Sequence, residues 1–275
     1  NIYTENLLIN VKNLKIGCSL PNGLHTAITA YADDIILLSP SLKHLQSMVS
    51  LCEEHGKENG LKFNPSKTKT QFVISGPCKL TNPKLKLQST EIIPQDTLNH
   101  LGFHWCIKND KLSLSGHKES RISELWSVVT SLITSGIRHC HPNAIINIYN
   151  SIVLPKFLYG LELVDLTKTE LECLNRQARS SLKALFNVSK YSKNLLNKIY
   201  NIPDISTLLE ERKLKLFKQT LSNSCTCSYI YDMFNHPTNT IDFSFVHRVM
   251  DTITDNNLNL VQIIFGFHYF LISGS

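Results

Sequence analysis

Apolar and polar positions divide the chain into two textures. In the first, apolar residues come in short runs rich in branched and aromatic side chains. Thr26–Tyr31 and Ile35–Ser39 flank Ala32-Asp33-Asp34, which predicts two strands joined by a hairpin-short connection. Pro40-Ser41 ends the second run, and Ser41 is placed to cap a helix. Leu42, Leu45, Val49 and Cys52 follow at spacings of 3, 4 and 3, which is one helical face. Gly60 stands where a left-handed residue closes such a helix. Leu61-Lys62-Phe63 and Thr70–Ser75 predict strands on either side of an Asn64-Pro65 turn. Residues 79–107 predict further short strands, with Gly102 inside Leu101-Gly102-Phe103-His104-Trp105.

Near Lys118 the period becomes helical. Ile122, Leu125, Val129, Leu132 and Gly136 form one set, and Ile145, Ile148, Tyr149 and Ile152 a second, which Pro155 is expected to break. Leu171, Leu174, Ala178 and Leu185 mark a third helix, and Leu208, Leu209, Arg212 and Leu216 a fourth. The fold class expected is α+β: an antiparallel sheet with a helix over residues 1–115, then an all-α region over 116–224. Residues 225–275 form an irregular C-terminal tail with no period.

Composition narrows the classes. At 275 residues and 42% hydrophobic, the chain is globular rather than disordered. The net charge of +6 is concentrated: Arg176 to Lys218 holds ten Lys/Arg against Asp204, Glu210 and Glu211, a local 10 − 3 = +7. An anionic partner would be met there. Arg176, Arg179 and Lys183 recur at 3 and 4 residues as one basic stripe, followed by Lys190, Lys193 and Lys198. A solvated helix face is the alternative. Eight scattered cysteines outline no disulfide framework, and reduced thiols in the nucleus or cytoplasm are expected, not secretion. The apolar stretch Leu260–Ile272 is too short to span a bilayer and holds His268, so no membrane role is expected. Cys225-Thr226-Cys227 with His236 and His247 departs from common zinc spacings, and no zinc site is assigned. The chain opens on Asn1 and its first methionine is Met48, so a longer parent polypeptide is expected.

The candidate chemistry lies at Asp33 and Asp34. Along a strand, adjacent side chains point to opposite faces, so neighbouring acids can share a cation only where a turn breaks that alternation. An Asp pair in such a turn suits a hard divalent ion. Asp also favours turns for purely conformational reasons.

The order of segments resembles the reverse transcriptases of non-LTR (LINE-type) retrotransposons. "YADD" at 31–34 resembles motif C at the metal site of the palm, "GLKFNPSKTK" at 60–69 motif D, and "HLGFHW" at 100–105 the primer-grip hairpin, motif E. "PKFLYGLEL" at 155–163 is similar to the thumb and connection region, and "IYTENLLINVKNLKIGCSL" to the segment just before motif C. Group II intron reverse transcriptases also use Tyr-Ala-Asp-Asp, and the helical region after residue 118 favours the non-LTR type. The resemblance implies a partial polymerase palm followed by a helical thumb, and RNA-directed DNA polymerase activity by two-metal nucleotidyl transfer. Two Mg²⁺ (or Mn²⁺) ions would serve the complete enzyme, with an RNA template, a DNA primer and dNTPs as partners. It implies Asp33 as the principal metal ligand and Asp34 as the second acid. Tyr31 would lie beside the primer end, Gly102 at the bend of the primer grip, and Lys67 at the leaving pyrophosphate. Arg176, Arg179 and Lys183 would track duplex phosphates.

The resemblance has gaps. Glu5 is the one acid before Asp33, and it falls in the stretch after motif B, so the motif A aspartate is missing, as is a Gly-rich motif B. The upstream palm and fingers would belong to a parent polyprotein, and residues 1–275 alone are expected not to polymerise. The alternatives are a non-catalytic, nucleic-acid-binding retrotransposon remnant, and a fragment that folds poorly because its palm edges lack partners.

Overall fold

In the computed structural model of the protein, the described residues are 2–19, 25–66, 69–76, 81–193, 195–224, 226–228 and 230. The chain divides into a unit of residues 1–113 and a second beginning at Leu114. The architecture is α+β, and among the described residues the strands lie in the first unit.

The first unit opens with helix α1 (Ile2–Asn13) and continues through strands β1 (Cys18–Ser19), β2 (His25–Thr26), β3 (Ile28–Tyr31) and β4 (Asp34–Leu37) to helix α2 (Leu42–Glu58). Five short strands come next: β5 (Leu85–Leu87), β6 (Thr90–Ile92), β7 (Thr97–His100), β8 (Phe103–Lys108) and β9 (Lys111–Ser113). Among the described residues the strands form four small antiparallel sheets, β1-β2, β3-β4, β5-β6 and β7-β8-β9, rather than one continuous sheet.

The amphipathic helix α2 carries two of these hairpins, β3-β4 and β5-β6. One apolar cluster joins Met48 and Cys52 to Leu7 and Val11 of α1 and to Ile28 of β3. A second joins Leu45 and Val49 to Phe72, Leu85, Leu87 and Ile92. Polar bonds fix the β5–β6 hairpin on the same helix. Gln46 Nε2 donates to the Lys86 carbonyl at 2.8 Å, and the Lys86 N–H donates to Gln46 Oε1 at 2.7 Å, so one side-chain amide stands in for a neighbouring strand. Gly56 leaves room for the returning chain, since a Cβ there would lie 2.9 Å from the Leu61 carbonyl oxygen.

Three local expectations differ. Ser41 occupies the N-cap position of α2 but its side chain does not cap; Ser39 Oγ accepts from the Ser41 N–H instead. Residues 61–63 form no strand, because their backbone is bonded elsewhere: Leu61 N–H to the Gly56 carbonyl in the helix-closing turn, and the Phe63 carbonyl to Gln88 Nε2. Thr70–Ser75 reduces to one bridge between Phe72 and Pro94, where proline has no N–H to extend a ladder.

Among the described residues the second unit is helical: α3 (His117–Thr134), α4 (Pro142–Ile148), α5 (Leu154–Leu158), α6 (Lys168–Leu185), α7 (Leu196–Ile199) and α8 (Ile205–Ser222). Its core gathers Leu125, Tyr149, Phe157, Leu174, Leu182 and Leu209. Pro155 does not break the run. Residues 149–153 widen into a π turn in which the Leu154 N–H bonds to the Tyr149 carbonyl, and Pro155 sits in the first turn of α5, where no N–H is needed. The extra residue rotates the apolar face, so Val153 is buried and Ile152 is 43% exposed. Pro142–Leu163 is long and apolar enough to cross a membrane, but half of its most apolar window is buried within this unit, so core packing accounts for its composition. Burial pushes the Tyr149 hydroxyl up to about 12, and it donates to the Ala178 carbonyl at 3.0 Å. The tail from residue 231, with His236 and His247, lies outside the described residues, as does Cys225.

Helix α6 begins with a reciprocal cap: the Glu170 N–H donates to Thr167 Oγ1 and the Thr167 N–H to Glu170 Oε2. Lys118 of α3 reaches Glu170 at 2.6 Å. The Lys118 ammonium, then the two Thr167 donors, hold the Glu170 carboxyl at about 2, below its usual 4.5. A depressed carboxylate stabilises the fold above its ordinary pKa, and that contribution is lost as pH falls from 4.5 towards 2. Thr167→Ala is expected to cost about 1 kcal/mol. Glu170→Gln keeps a capping side chain but loses the ion pair. Its thermal midpoint should therefore fall less than the wild type's between pH 4.5 and 2. Equal acid sensitivity would contradict the assignment.

Candidate active site

Strands β3 and β4 pair in register from Ile28 with Leu37 to Tyr31 with Asp34, leaving Ala32-Asp33 as a two-residue turn. One face of the hairpin carries Ile28, Ile35 and Leu37 onto the α1–α2 cluster. The alternate positions, Thr29, Tyr31, Asp34 and Ile36, share the opposite face. Asp33 and Asp34 are exposed, and Tyr31 is 68% exposed. The buried face thus anchors the hairpin and presents its tip to solvent.

Ala32 has φ +55°, a positive value that favours glycine. A non-glycine residue in this left-handed region costs about 1 kcal/mol, and such outliers cluster at functional sites. The tight turn removes Asp33 from strand alternation, so two consecutive carboxylates stand at one tip.

Two carboxylates on one turn are suitable donors for a divalent ion, but they are too few for a two-ion centre. Among the described residues, no group of three or more His, Cys, Asp or Glu is positioned to hold a metal. The turn alone therefore does not fit the complete two-metal site.

The other candidate residues lie apart from this turn in the sequence. Lys67 falls outside the described residues. Gly102 has φ +75° and succeeds Leu101 at +49°, the two left-handed positions of a type I′ turn joining β7 to β8. Trp105 is half-buried opposite Leu98, with its ring centroid 6.4 Å from that of Phe103. Arg176 is exposed on α6, and Arg179 is half-buried with Nε donating to the Asn175 carbonyl at 3.1 Å.

Lys183 departs from the expected solvent-facing stripe. It is 7% exposed, and its ammonium donates to the carbonyls of Lys190 at 3.3 Å and Ser192 at 2.6 Å. The chain after α6 folds back over it, so this cation is buried rather than offered to phosphate. Its periodic position matched Arg176 and Arg179, and nothing in that spacing distinguishes it. The nearby signal was the polar stretch Asn187–Ser192, able to turn back on the helix end.

The comparison with known families bears on this same hairpin. Residues 1–105 match the family model for reverse transcriptase (RNA-dependent DNA polymerase). The reverse transcriptase match covers the Tyr31–Asp34 turn and the Leu101-Gly102 turn, and ends within β8. That family consists of RNA-directed DNA polymerases, which use divalent ions, a nucleic-acid template and nucleotide substrates. No curated protein and no solved structure matches the chain.

Two outcomes are expected. Ala32→Gly should stabilise the reverse-transcriptase-like unit by about 1 kcal/mol by relieving the left-handed position, read as a raised thermal midpoint; a lowered midpoint would contradict the turn geometry. Lys183→Met should speed tryptic cleavage after Lys190 and Lys193, because the segment loses its two clamped carbonyls. Unchanged cleavage would contradict the clamp.

Proposed function

We propose that residues 1–113 form part of the palm of a non-LTR (LINE-type) retrotransposon reverse transcriptase, with the helical unit as its thumb. The observation that carries this is the solvent-facing two-residue turn, which sets Asp33 and Asp34 side by side within the stretch matching the family. In this reading Asp33 is the main ligand of Mg²⁺ (or Mn²⁺) and Asp34 the second acid. Tyr31 lies by the primer end, Lys67 serves the departing pyrophosphate, and Gly102 forms the bend of the primer grip. Arg176 and Arg179 face duplex phosphates. The remaining carboxylate ligand and the fingers come from an upstream part of a parent protein that works inside the cell. In this reading residues 1–275 do not supply a full two-metal centre by themselves.

The alternative is a nucleic-acid-binding remnant without catalysis. It is favoured by the run from Cys173 to Pro203, which holds six Lys/Arg and no acid.

Purified residues 1–275, given a primed RNA template, dNTPs and Mg²⁺, are expected to produce no extended primer, because one turn leaves the metal centre short of ligands. Template-dependent extension abolished by Asp33→Ala would overturn the assignment of incompleteness.

A further inference from the structure

The buried Lys183 shapes the chain reversal beyond the end of α6. The helix closes with Asn187 at φ +55°; the Asn187 N–H bonds to the Ala184 carbonyl at 3.2 Å and the Val188 N–H to the Lys183 carbonyl at 2.9 Å. These are the paired bonds of a Schellman motif, with asparagine in the left-handed position. The next residues form a compact turn. The Ser192 N–H and Oγ both donate to the Ser189 carbonyl, at 3.0 and 2.7 Å, and the Tyr191 N–H donates to Ser189 Oγ at 3.3 Å. Lys183 Nζ then clasps the carbonyls on either side of Tyr191. A buried ammonium is costly unless hydrogen-bonded, so this clasp constrains the turn. Tyr191 is presented outward, 85% exposed, with Lys190 Nζ 5.0 Å from the ring centroid.

We propose that this turn binds single-stranded nucleic acid: Tyr191 stacks on an unpaired base while Lys190, Lys193 and Lys198 meet the flanking phosphates. An exposed aromatic on a hydrogen-bonded turn, among cations, is the combination that holds single strands, since every base offers a π-face and the backbone supplies charge. All three lysines are exposed. Leu195 and Ile199 are also exposed nearby, which raises a protein partner as the competing occupant. Lysine is depleted at protein interfaces, and the absence of any acid from Cys173 to Pro203 favours a polyanion. The inference deepens the nucleic-acid-binding alternative above and does not require the polymerase reading. Its readout is binding, so failure of primer extension leaves it intact.

The test is fluorescence anisotropy of the full chain with a labelled single-stranded RNA of about 12 nucleotides, within usual site sizes, and with the corresponding duplex. Tyr191→Ala is expected to weaken single-strand binding about tenfold, one base stack, with an unchanged thermal midpoint because the residue is exposed. Tyr191→Phe should retain wild-type affinity, and duplex binding should lose less than single-strand binding. Replacing both Lys190 and Lys193 by Ala should reduce the slope of log affinity against log salt by about 1.4. Unchanged affinity in Tyr191→Ala, or a Phe variant as weak as the Ala variant, would overturn the proposal. So would equal losses on single strand and duplex, or Tyr191-dependent binding to phosphatidylserine vesicles tighter than to the oligonucleotide.

Discussion

The first unit depends on one helix serving two clusters. Leu45 of α2 touches both the α1–β3–β4 cluster and the β5–β6 cluster, and Phe63, just past the helix, does the same. The sheets here have two or three strands, and an isolated two-stranded hairpin is marginal in water. Packing on α2 gives the β3-β4 and β5-β6 hairpins a buried face they could not obtain alone. The exposed acids at the Tyr31–Asp34 turn stand on a buried face, with Ile28, Ile35 and Leu37 packed against α1 and α2.

The period of apolar positions revealed the elements that are amphipathic in the ordinary way. Leu45, Val49 and Cys52 placed α2, and Leu125 and Val129 placed α3, because burial follows the helical repeat there. It was less informative where hydrogen bonding or geometry outweighs period. The π turn before Pro155 shifts the buried face by one residue, and no apolar pattern announces it. The predicted strand at 61–63 had suitable residues, but its Leu61 N–H and Phe63 carbonyl are bonded to Gly56 and Gln88 instead. Of the candidate site, the two-residue turn was legible from Tyr-Ala-Asp-Asp between two apolar runs. The left-handed conformation of Ala32 was not, because alanine carries no preference for it.

Lys183 illustrates the limit of reading charge by spacing. Three cations at helical intervals form a stripe in projection, yet the last one is covered by the segment that succeeds the helix. The exposed cations of this region include Arg176 on the helix and Lys190, Lys193 and Lys198 beyond its end.

The central claim is that the Asp33-Asp34 turn is one part of a shared divalent-cation site. The most direct measurement is paramagnetic broadening of backbone amide signals during a Mn²⁺ titration of the chain. The account predicts broadening centred on residues 31–34, abolished by Asp33→Asn together with Asp34→Asn. Binding should be weak, on the order of millimolar, as expected of a sparse oxygen site. Absence of broadening at that turn, or broadening there that survives the double substitution, would contradict it.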